Sequence, residues 1–307
     1  MDLAIGLLQG ALMYTIPLWL AAMGELVQQR AGTWGLGIEG TMLMGAFVSY
    51  FITLKTEAIL LGILSGLLVG IITGLFMALF IVILGRSQVV TGIGLNILAA
   101  GLTSFLFVEL ITKVYNRVPY VELMHVVKVP LLSRVPVLGP VFFENCSVTY
   151  GVFLLFPVLG IILYKTSFGL KNRAVGESAE KCNALGINVI KTRTLSVLFA
   201  YTLAGLSGAT LVLGSTGSFT HGMTAGRGFL AIAIVIVSNW TLLGVAIIGF
   251  LFGITQSGQQ ILQIFTPQIP WQLLLAIPYI FGISALIVGA LRARQPSELG
   301  IPFLRQR

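Results

Sequence analysis

The chain has 307 residues, of which 57% are hydrophobic and only 9% are charged, and its formal net charge is +8. Globular proteins carry about 25% charged residues, and a soluble fold of this length needs a polar shell, so the composition excludes a water-soluble protein. It indicates a polytopic, all-α bundle of membrane helices. The basic residues gather in Lys165–Arg193 and Arg292–Arg307, which is typical of anchoring on the cytoplasmic side and not of nucleic-acid binding.

Nine hydrophobic segments follow one another along the chain, and a helix needs about 20 apolar residues to cross the ~30 Å hydrocarbon core. They are Leu3–Val27, Leu36–Leu54, Ala58–Leu84, Val89–Ile111, Val148–Tyr164, Thr194–Leu213, Phe229–Val237, Leu242–Ile264 and Trp271–Leu291. Phe229–Val237 is too short to cross alone, so we predict a half-helix that starts within the membrane, with Gly222–Gly228 as its irregular approach. Residues 1–307 are thus predicted to form a single transmembrane domain with about nine membrane segments. No basic residue precedes Leu3, so the first segment is expected to be a mature span and not a signal peptide.

The basic loops predict the orientation of these segments. If Lys165–Arg193 lies in the cytoplasm, Arg292–Arg307, Arg30 and Arg86 come to the same side. The loop Lys113–Ser147 and the N-terminus then lie outside. The protein is therefore expected in the cell membrane, plasma or inner, as a multi-pass protein with a cytoplasmic C-terminus.

Small residues recur every four positions along the third segment. Gly62, Gly66, Gly70, Gly74 and Ala78 put a smooth groove on one helix face, where another backbone can approach closely. The groove is expected to pack against a helix of the same chain, with a seam between two chains as the alternative.

Amide side chains form a stripe on the eighth segment. Gln256, Gln260 and Gln263 lie at i, i+4 and i+7, with Gln259 beside them. Because amides that face lipid are unfavourable, this face should meet protein or water. It is either a wall of a translocation path or a set of interhelical hydrogen bonds.

Carboxylates within membrane segments are functional candidates by default. Glu25, Glu39 and Glu109 lie near or within predicted spans. Glu39 stands in "RAGTWGLGIEGTMLMGAF", where a predicted cytoplasmic turn enters the second segment. The alternative for Glu39 is an acidic residue in the first turn of a helix, where the macrodipole favours it.

The polar segment Lys165–Arg193 contains a short predicted helix. Gly176 is expected to break the direction of the chain, and Glu177–Leu185 then forms an amphipathic helix that Gly186 terminates. Such a short helix is marginal alone in water, so it would gain most by docking into a groove of a partner. An ordinary solvated loop is the alternative.

Two sides of that helix are predicted from its spacing. Ser178, Cys182 and Leu185 share a small, partly apolar face at i, i+4 and i+7. Glu177 and Lys181 are expected to form an i,i+4 ion pair on the wet side.

Motifs of enzyme chemistry are absent from the sequence. It contains no Walker A pattern, no HExxH, no nucleophile elbow and no cluster of His or Cys that could hold haem or zinc. The chain is therefore not expected to be an enzyme or to hold a cofactor or metal. Transport powered by ATP would need a separate subunit that binds the nucleotide.

Four stretches together carry a family resemblance that covers Ala31 to about Trp240. "AVGESAEKCNALGINVIKTR" resembles the coupling loop of permease subunits from bacterial ABC importers, in the branched-chain amino acid, simple-sugar and nucleoside permease family. The matching residues are Gly176, Glu177, Ala184, Gly186, Ile187 and Asn188. "RAGTWGLGIEGTMLMGAF" resembles the second-span signature of the family, "TAGRGFLAIAIVIVSNW" its late half-helix, and "VPLLSRVPVLGPVFF" the outer loop of its nucleoside and simple-sugar branch.

The resemblance implies a type II ABC importer-like permease that forms the path for a nucleoside or simple sugar. The implied partners are an ABC ATPase subunit, a second permease subunit, often a longer homologue, and an extracellular solute-binding lipoprotein. Residues 165–193 become the coupling loop, with the ATPase-coupling residues Gly176, Glu177, Lys181, Ala184, Leu185 and Gly186. The predicted path residues are Glu39, Thr91, Asn96, Gln256 and Gln260, and plain helix–helix hydrogen bonding is the alternative for Asn96.

Three other classes of protein remain as alternatives. A stand-alone secondary transporter or channel for a small polar solute would work without an ATPase. A membrane enzyme would need a catalytic cluster, and a purely structural membrane partner would show no effect of the glutamine stripe on flux.

Overall fold

The computed structural model describes residues 2–130, 132–136, 138–266, 268–290 and 294–303, which form a bundle of helices with one short β-hairpin. In chain order the helices are α1 (Asp2–Arg30), α2 (Ile38–Thr56), α3 (Ile59–Met77), α4 (Gln88–Phe107), α5 (Lys113–Tyr115), α6 (Leu138–Phe142), α7 (Ser147–Lys165), α8 (Ser167–Glu177), α9 (Ala179–Ala184), α10 (Val189–Leu211), α11 (Arg227–Val237), α12 (Leu242–Phe265) and α13 (Trp271–Ala290). π-Helical turns extend α3, α4 and α10 over Ala78–Ile83, Val108–Thr112 and Val212–Thr216, and a 3-10 turn covers Leu132–Arg134. The strands β1 (Val126–Lys128) and β2 (Glu144–Cys146) pair antiparallel, with Val127 opposite Asn145.

Helix α10 is the centre of the bundle. It packs against α1, α2 and α3, and small residues on several of its faces, among them Ala200, Gly205 and Gly208, lie buried against these neighbours. In lipid, helices associate through such close packing because hydrocarbon chains are as apolar as the side chains. The sequence therefore places its smallest side chains where the most helices meet.

The glycine stripe of α3 packs within the chain. A Cβ at Gly66 would lie 2.6 Å from Ser49 Oγ of α2 and 2.8 Å from Ala209 Cβ of α10. Gly70 faces the backbone of α10 in the same way, at Thr202. The packing interpretation is confirmed, and this face is occupied by helices of the same chain.

Every one of the nine predicted membrane segments contains a helix, with ends within a few residues of those expected. Within the described part of the chain, six helices are long and apolar enough to cross a membrane: α1 from Leu3, α3, α4, α7, α10 and α12, with α3, α4 and α10 counted together with their π-helical extensions. The protein is thus a multi-pass membrane protein. Leu291 of the predicted ninth segment, and Arg292, Arg305 and Arg307 of the basic stretch, lie outside the described residues.

Helix α11 has the length of a half-helix. Its 11 residues rise about 16 Å, roughly half of the hydrocarbon core. Residues 221–226 before it form turns, with left-handed backbone at Gly222 and Gly226. The helix begins at Arg227, two residues earlier than predicted.

The prediction that Gly176 breaks the chain is wrong. Helix α8 continues through Gly176, which is buried, and the break comes at Ser178, whose φ of −160° is extended. A Cβ at Gly176 would collide with the carbonyl oxygen of Arg30 at the end of α1. The glycine is therefore needed for the close approach of α8 to α1, and not for a turn.

The structure also contradicts the prediction of which residues lie on each side of the short helix. Cys182 is 5% exposed, whereas Leu185 is 80% exposed, because α9 ends at Ala184 and Leu185 already lies in the turn. The break at Ser178 puts Glu177 and Lys181 on different helices, and these two residues form no ion pair with each other. Glu177 instead accepts a hydrogen bond from Ser297 (3.2 Å).

Gly186 terminates the segment as predicted. Its φ is +82°, in the left-handed region that glycine adopts without strain. The Ile187 N–H donates to the Cys182 carbonyl oxygen (2.9 Å), which closes the C-terminal motif of the helix.

Candidate functional site

Glu39 holds the first turn of the half-helix. Its carboxylate accepts hydrogen bonds from Thr224 Oγ1 (2.6 Å), the Gly226 N–H (2.8 Å) and the Gly228 N–H (2.6 Å). Amides at a helix N-terminus have no partner within the helix, and the macrodipole places positive charge there. The carboxylate satisfies these amides and offsets that charge, so it ties the start of α2 to the start of α11.

The two helices meet in contact at this point. A Cβ on Gly228 would lie 2.6 Å from the backbone nitrogen and Cα of Glu39. Only glycine lets the first turns of α2 and α11 approach this closely. Two helix N-termini thus converge on one carboxylate, and in membrane transporters the N-termini of broken helices likewise face anionic groups.

The other end of α11 is anchored to α1. The backbone after Val237 turns through left-handed conformations at Asn239 and Trp240. The Arg30 Nε donates to the Trp240 carbonyl oxygen (2.7 Å), and the Trp240 indole N–H donates to Gln29 Oε1 (2.6 Å). A cation near a helix C-terminus is electrostatically favourable, so both ends of the half-helix are fixed by side chains from other helices.

The loop 31–37 between α1 and α2 folds back along the bundle. The Gly35 N–H donates to Glu25 Oε1 (3.0 Å), five residues before the end of α1, so the loop re-enters by about 7 Å. The Gly37 N–H donates to Tyr201 Oη of α10 (3.2 Å). Helix α2 therefore starts inside the bundle, where Glu39 can reach α11.

Asn96 stabilises the start of α2. Its amide oxygen accepts from the Gly40 N–H (2.8 Å), and its amide nitrogen donates to the Leu36 carbonyl oxygen (2.8 Å). These are the interhelical hydrogen bonds that the alternative interpretation of Asn96 predicted. Thr91 lies nearer the start of α4, in an apolar groove with Phe76 and Phe80, and is not brought together with the glutamines.

A polar cavity of about 90 Å³ lies among α1, α11, α12 and α13. Gln256, Gln259 and Gln260 of α12 line it together with Tyr14 and Arg227, and Ala225, Leu275, Pro278 and Tyr279 complete the wall. The structure therefore brings Gln256 and Gln260 together, as the stripe predicted, while Gln263 is not part of the lining.

The cavity contains unused hydrogen-bonding capacity. Arg227 Nη1 donates to the carbonyl oxygens of Met223 (2.9 Å) and Thr224 (3.2 Å). Its Nε and the Gln256 Oε1 are buried without a hydrogen-bond partner among the described residues. Buried polar groups are normally paired, so this donor and this acceptor could each take a partner that the described residues do not supply.

Residues 177–186, which run from the end of α8 through α9 to the turn after it, present a polar surface in which Leu185 is the exposed large apolar side chain. The exposed residues are Glu177, Glu180, Lys181, Asn183, Ala184, Leu185 and Gly186. They include all predicted coupling residues except Gly176. Leu185 projects from these polar surroundings with 80% of its surface exposed.

Beneath that surface lies a small apolar cluster. Val175, Ala179, Cys182 and Val189 are buried there, with Phe303 packed against them. Burial, and to a lesser extent the neighbouring Glu298 carboxylate, raises the pKa of the Cys182 thiol. The thiol is therefore mostly protonated at neutral pH and serves packing, not reaction.

Two residues that contact each other in this region escaped the sequence analysis. Arg193 and Glu298 meet here, 105 positions apart, with 3.6 Å between the guanidinium and the carboxylate. Arg227 and Tyr14 in the polar cavity were missed as well. Periodicity within one helix could find the glutamines, but no local signal joins residues from distant segments.

The matching motif residues have structural tasks in this segment. Asn188 accepts a hydrogen bond from the Lys191 N–H (2.9 Å) and so caps α10. Gly176 and Gly186 allow close packing and a left-handed turn. The exposed side chains between Gly176 and Gly186 are the ones that another protein could contact.

Comparison with known proteins gives one family and several relatives. The model of a family described as "Branched-chain amino acid transport system / permease component" matches residues 7–284. A guanosine ABC transporter permease protein of Bacillus subtilis is 32% identical over 306 residues, which cover 96% of this chain and 95% of that protein.

Two proteins of Lactococcus lactis also match. A nucleoside ABC transporter permease protein, NupC, is 31% identical over 96% of this chain and 96% of its own length. A second nucleoside ABC transporter permease protein, NupB, is 24% identical over 79% of this chain and 69% of its own length. No solved structure matches the chain at a comparable level of significance.

Proposed function

Because this chain belongs to the family of permease components of branched-chain amino acid transport systems, we propose that it carries a nucleoside across the membrane as the permease subunit of an ATP-driven importer. The observation that carries the choice of solute is the similarity, at 32% and 31% identity over 96% of the chain, to permeases named for guanosine and nucleosides. A simple sugar is the alternative solute, since its hydroxyl groups could also bind the donors and acceptors that line the polar cavity.

The translocation path is proposed to include the cavity lined by Gln256 and Gln260. An amide presents donor and acceptor side by side, and such a pair can bind the edge of a nucleobase in two hydrogen bonds. Arg227 and Tyr14 add donors to the same space. A cavity of about 90 Å³ is smaller than a nucleoside, so the path must widen when the permease changes state.

A matched pair of variants tests this path. Gln256→Leu removes an amide from the cavity, and Gln263→Leu removes one from the same helix outside it. We expect Gln256→Leu to lower guanosine uptake into proteoliposomes about tenfold or more, because a pair of buried hydrogen bonds is lost. Gln263→Leu should change uptake little. Equal uptake by both variants would contradict the path.

The α8–α9 end of the bundle is proposed to face the cytoplasm and to receive a separate ATPase. In this proposal, residues 165–193 are the coupling loop of a single transmembrane permease domain, and Leu185 enters a groove of the ATPase. ATP is bound by that partner and not by this chain. The C-terminus is then cytoplasmic, and α2 and α13 cross the membrane beside the six long helices in a type II importer-like arrangement.

Docking is tested by co-purification of the permease with its ATPase. Leu185→Asp places a charge where we propose an apolar contact, and the ATPase should be lost from the complex while the permease still inserts. Leu185→Met keeps the apolar character and should retain the ATPase. Retention of the ATPase by Leu185→Asp would contradict the docking role of Leu185, whereas transport by the purified chain alone would favour the stand-alone transporter or channel.

The remaining partners are a second permease and an extracellular solute-binding lipoprotein. Two different nucleoside permeases of Lactococcus lactis resemble this chain, one over nearly its whole length and one over 69% of it. That pattern supports a heterodimer with a longer homologue.

A further inference from the structure

Residues 294–303, called here the strap, connect α8 to the loop 31–37. The Glu298 N–H donates to the Gly176 carbonyl oxygen of α8 (2.9 Å), and the Gly300 N–H donates to the Gly32 carbonyl oxygen in the loop 31–37 (3.1 Å). Two backbone hydrogen bonds, two residues apart, thus join the coupling segment to the loop that leads into α2.

The carboxylate of Glu298 stands between α9 and α10. One oxygen accepts from the Ala179 N–H at the start of α9 (3.3 Å), and the other lies 3.6 Å from the Arg193 guanidinium. The Ser297 hydroxyl donates to Glu177 at the end of α8. The strap therefore contacts both helices of the coupling segment on either side of their break at Ser178.

Arg193 extends the connection to α1. Its side chain is 2% exposed, and it donates to the carbonyl oxygens of Ala31 (3.1 Å) and Ile301 (2.8 Å). Burying a guanidinium is unfavourable unless its partners are well placed. Here one side chain fixes the end of α1, the strap and Glu298 in a single arrangement.

The loop 31–37 continues this chain of contacts into the membrane. It is held by Glu25 at Gly35 and by Tyr201 at Gly37, and it delivers Glu39 to the first turn of α11. Hydrogen bonds, one ion pair and the backbone of the loop 31–37 therefore form a continuous connection from α9 to the half-helix.

We propose that the strap, through the Arg193–Glu298 pair, transmits movement of the coupling segment to the loop 31–37, and thereby to the half-helix. The proposal rests on the proposed function, since only a docked ATPase would move α8 and α9. Glu298 and Arg193 are positioning residues, which act through the loop and touch no solute.

The test measures solute transported per ATP hydrolysed by the full complex in proteoliposomes. In Glu298→Gln the ion pair is lost, and we expect this ratio to fall about tenfold, the effect of a weakened charged hydrogen bond, while the ATPase stays bound and hydrolyses ATP. Glu109→Gln, which removes an exposed ion pair with Lys113, should leave the ratio unchanged. An unchanged ratio in Glu298→Gln overturns the proposal.

A second readout follows the strap itself. With Cys146 replaced by Ser, release of the strap in Glu298→Gln exposes Cys182 and removes the carboxylate that contributes to its raised pKa, so alkylation by iodoacetamide should become faster. Equal alkylation rates in the two chains contradict the proposal. If Glu298→Gln cannot be purified folded, Glu298→Asp takes its place, with an intermediate ratio expected and a wild-type ratio contradicting.

The two proposals fail in different ways. A wild-type chain that binds no ATPase overturns the proposed function. A wild-type chain that binds the ATPase, with Glu298→Gln equally well coupled, overturns the strap alone.

Discussion

Glu39 illustrates how one side chain can organise a membrane site. Three donors from the start of α11 converge on its carboxylate, and each would be unpaired without it. In hydrocarbon no water can replace the missing acceptor. The residue is thus better understood as the support of the half-helix than as a group that binds solute directly. The sequence interpretations were a path residue or a charge in the first turn of its own helix α2, and neither named α11 as the partner.

Replacement of Glu39 should therefore affect both folding and transport. Glu39→Ala leaves buried donors unpaired at about 1–3 kcal/mol each, so we expect a lower melting temperature of the purified protein and a loss of uptake of about tenfold or more. Glu39→Gln keeps one acceptor oxygen and should be milder. Both are measured by thermal unfolding in detergent and by uptake into proteoliposomes.

Glu109→Gln provides the control for Glu39, because its ion pair with Lys113 is exposed and such pairs contribute little. A Glu39→Ala protein as stable and as active as this control would mean that α11 does not need the carboxylate.

Residue roles were harder to predict than residue positions. The pattern around Gly176 marks the right segment, yet the glycine allows contact with Arg30 and does not break the chain. Asn96 was expected in the path or in a helix–helix bond, and it bonds to the backbone of Leu36 and Gly40. A motif reports that a position is constrained, but the partner that constrains it lies elsewhere in the chain.

At the scale of elements, the helices themselves were predictable because length and hydropathy alone define a membrane helix. The glycine stripe of α3 also fulfilled its prediction, since a four-residue repeat of small side chains faces a neighbour in any packing. The short β-hairpin and the break at Ser178 were not predictable. Both depend on contacts with distant residues, such as Tyr150, whose hydroxyl donates to the Val127 carbonyl oxygen of β1 (2.8 Å).

Helix α11 shows why an incomplete helix can be stable in a membrane. Its N-terminus is satisfied by Glu39, and the chain that follows it is held by Arg30 and Gln29. Irregular backbone survives at depth only when protein covers it, and here α1 and α2 do so. An element fixed at both ends by side chains from other helices is suited to move as a unit with them.

At the scale of the whole molecule, the polar cavity and the exposed α9 surface lie on opposite ends of one network of contacts. The strap, loop 31–37 and Glu39 connect them. A pathway of contacts becomes a mechanism only if both ends bias the same two-state element. The pair of permease subunits would be that two-state element, and the Glu298 variants test whether the strap connects the coupling segment to it.

The last prediction concerns the orientation of the protein in the membrane. The basic residues of α8–α10 and the Arg30 and Arg86 turns should face the cytoplasm, so Glu180 on α9 should lie inside and Glu122, in the loop before β1, should lie outside. Both side chains are exposed, so a cysteine at either position is accessible to reagents on its own side. In intact cells, and with Cys146 and Cys182 replaced by Ser, a membrane-impermeant maleimide should label Glu122→Cys and spare Glu180→Cys until the membrane is permeabilised. Labelling of Glu180→Cys in intact cells would place the α9 surface outside, where no ATPase could reach it.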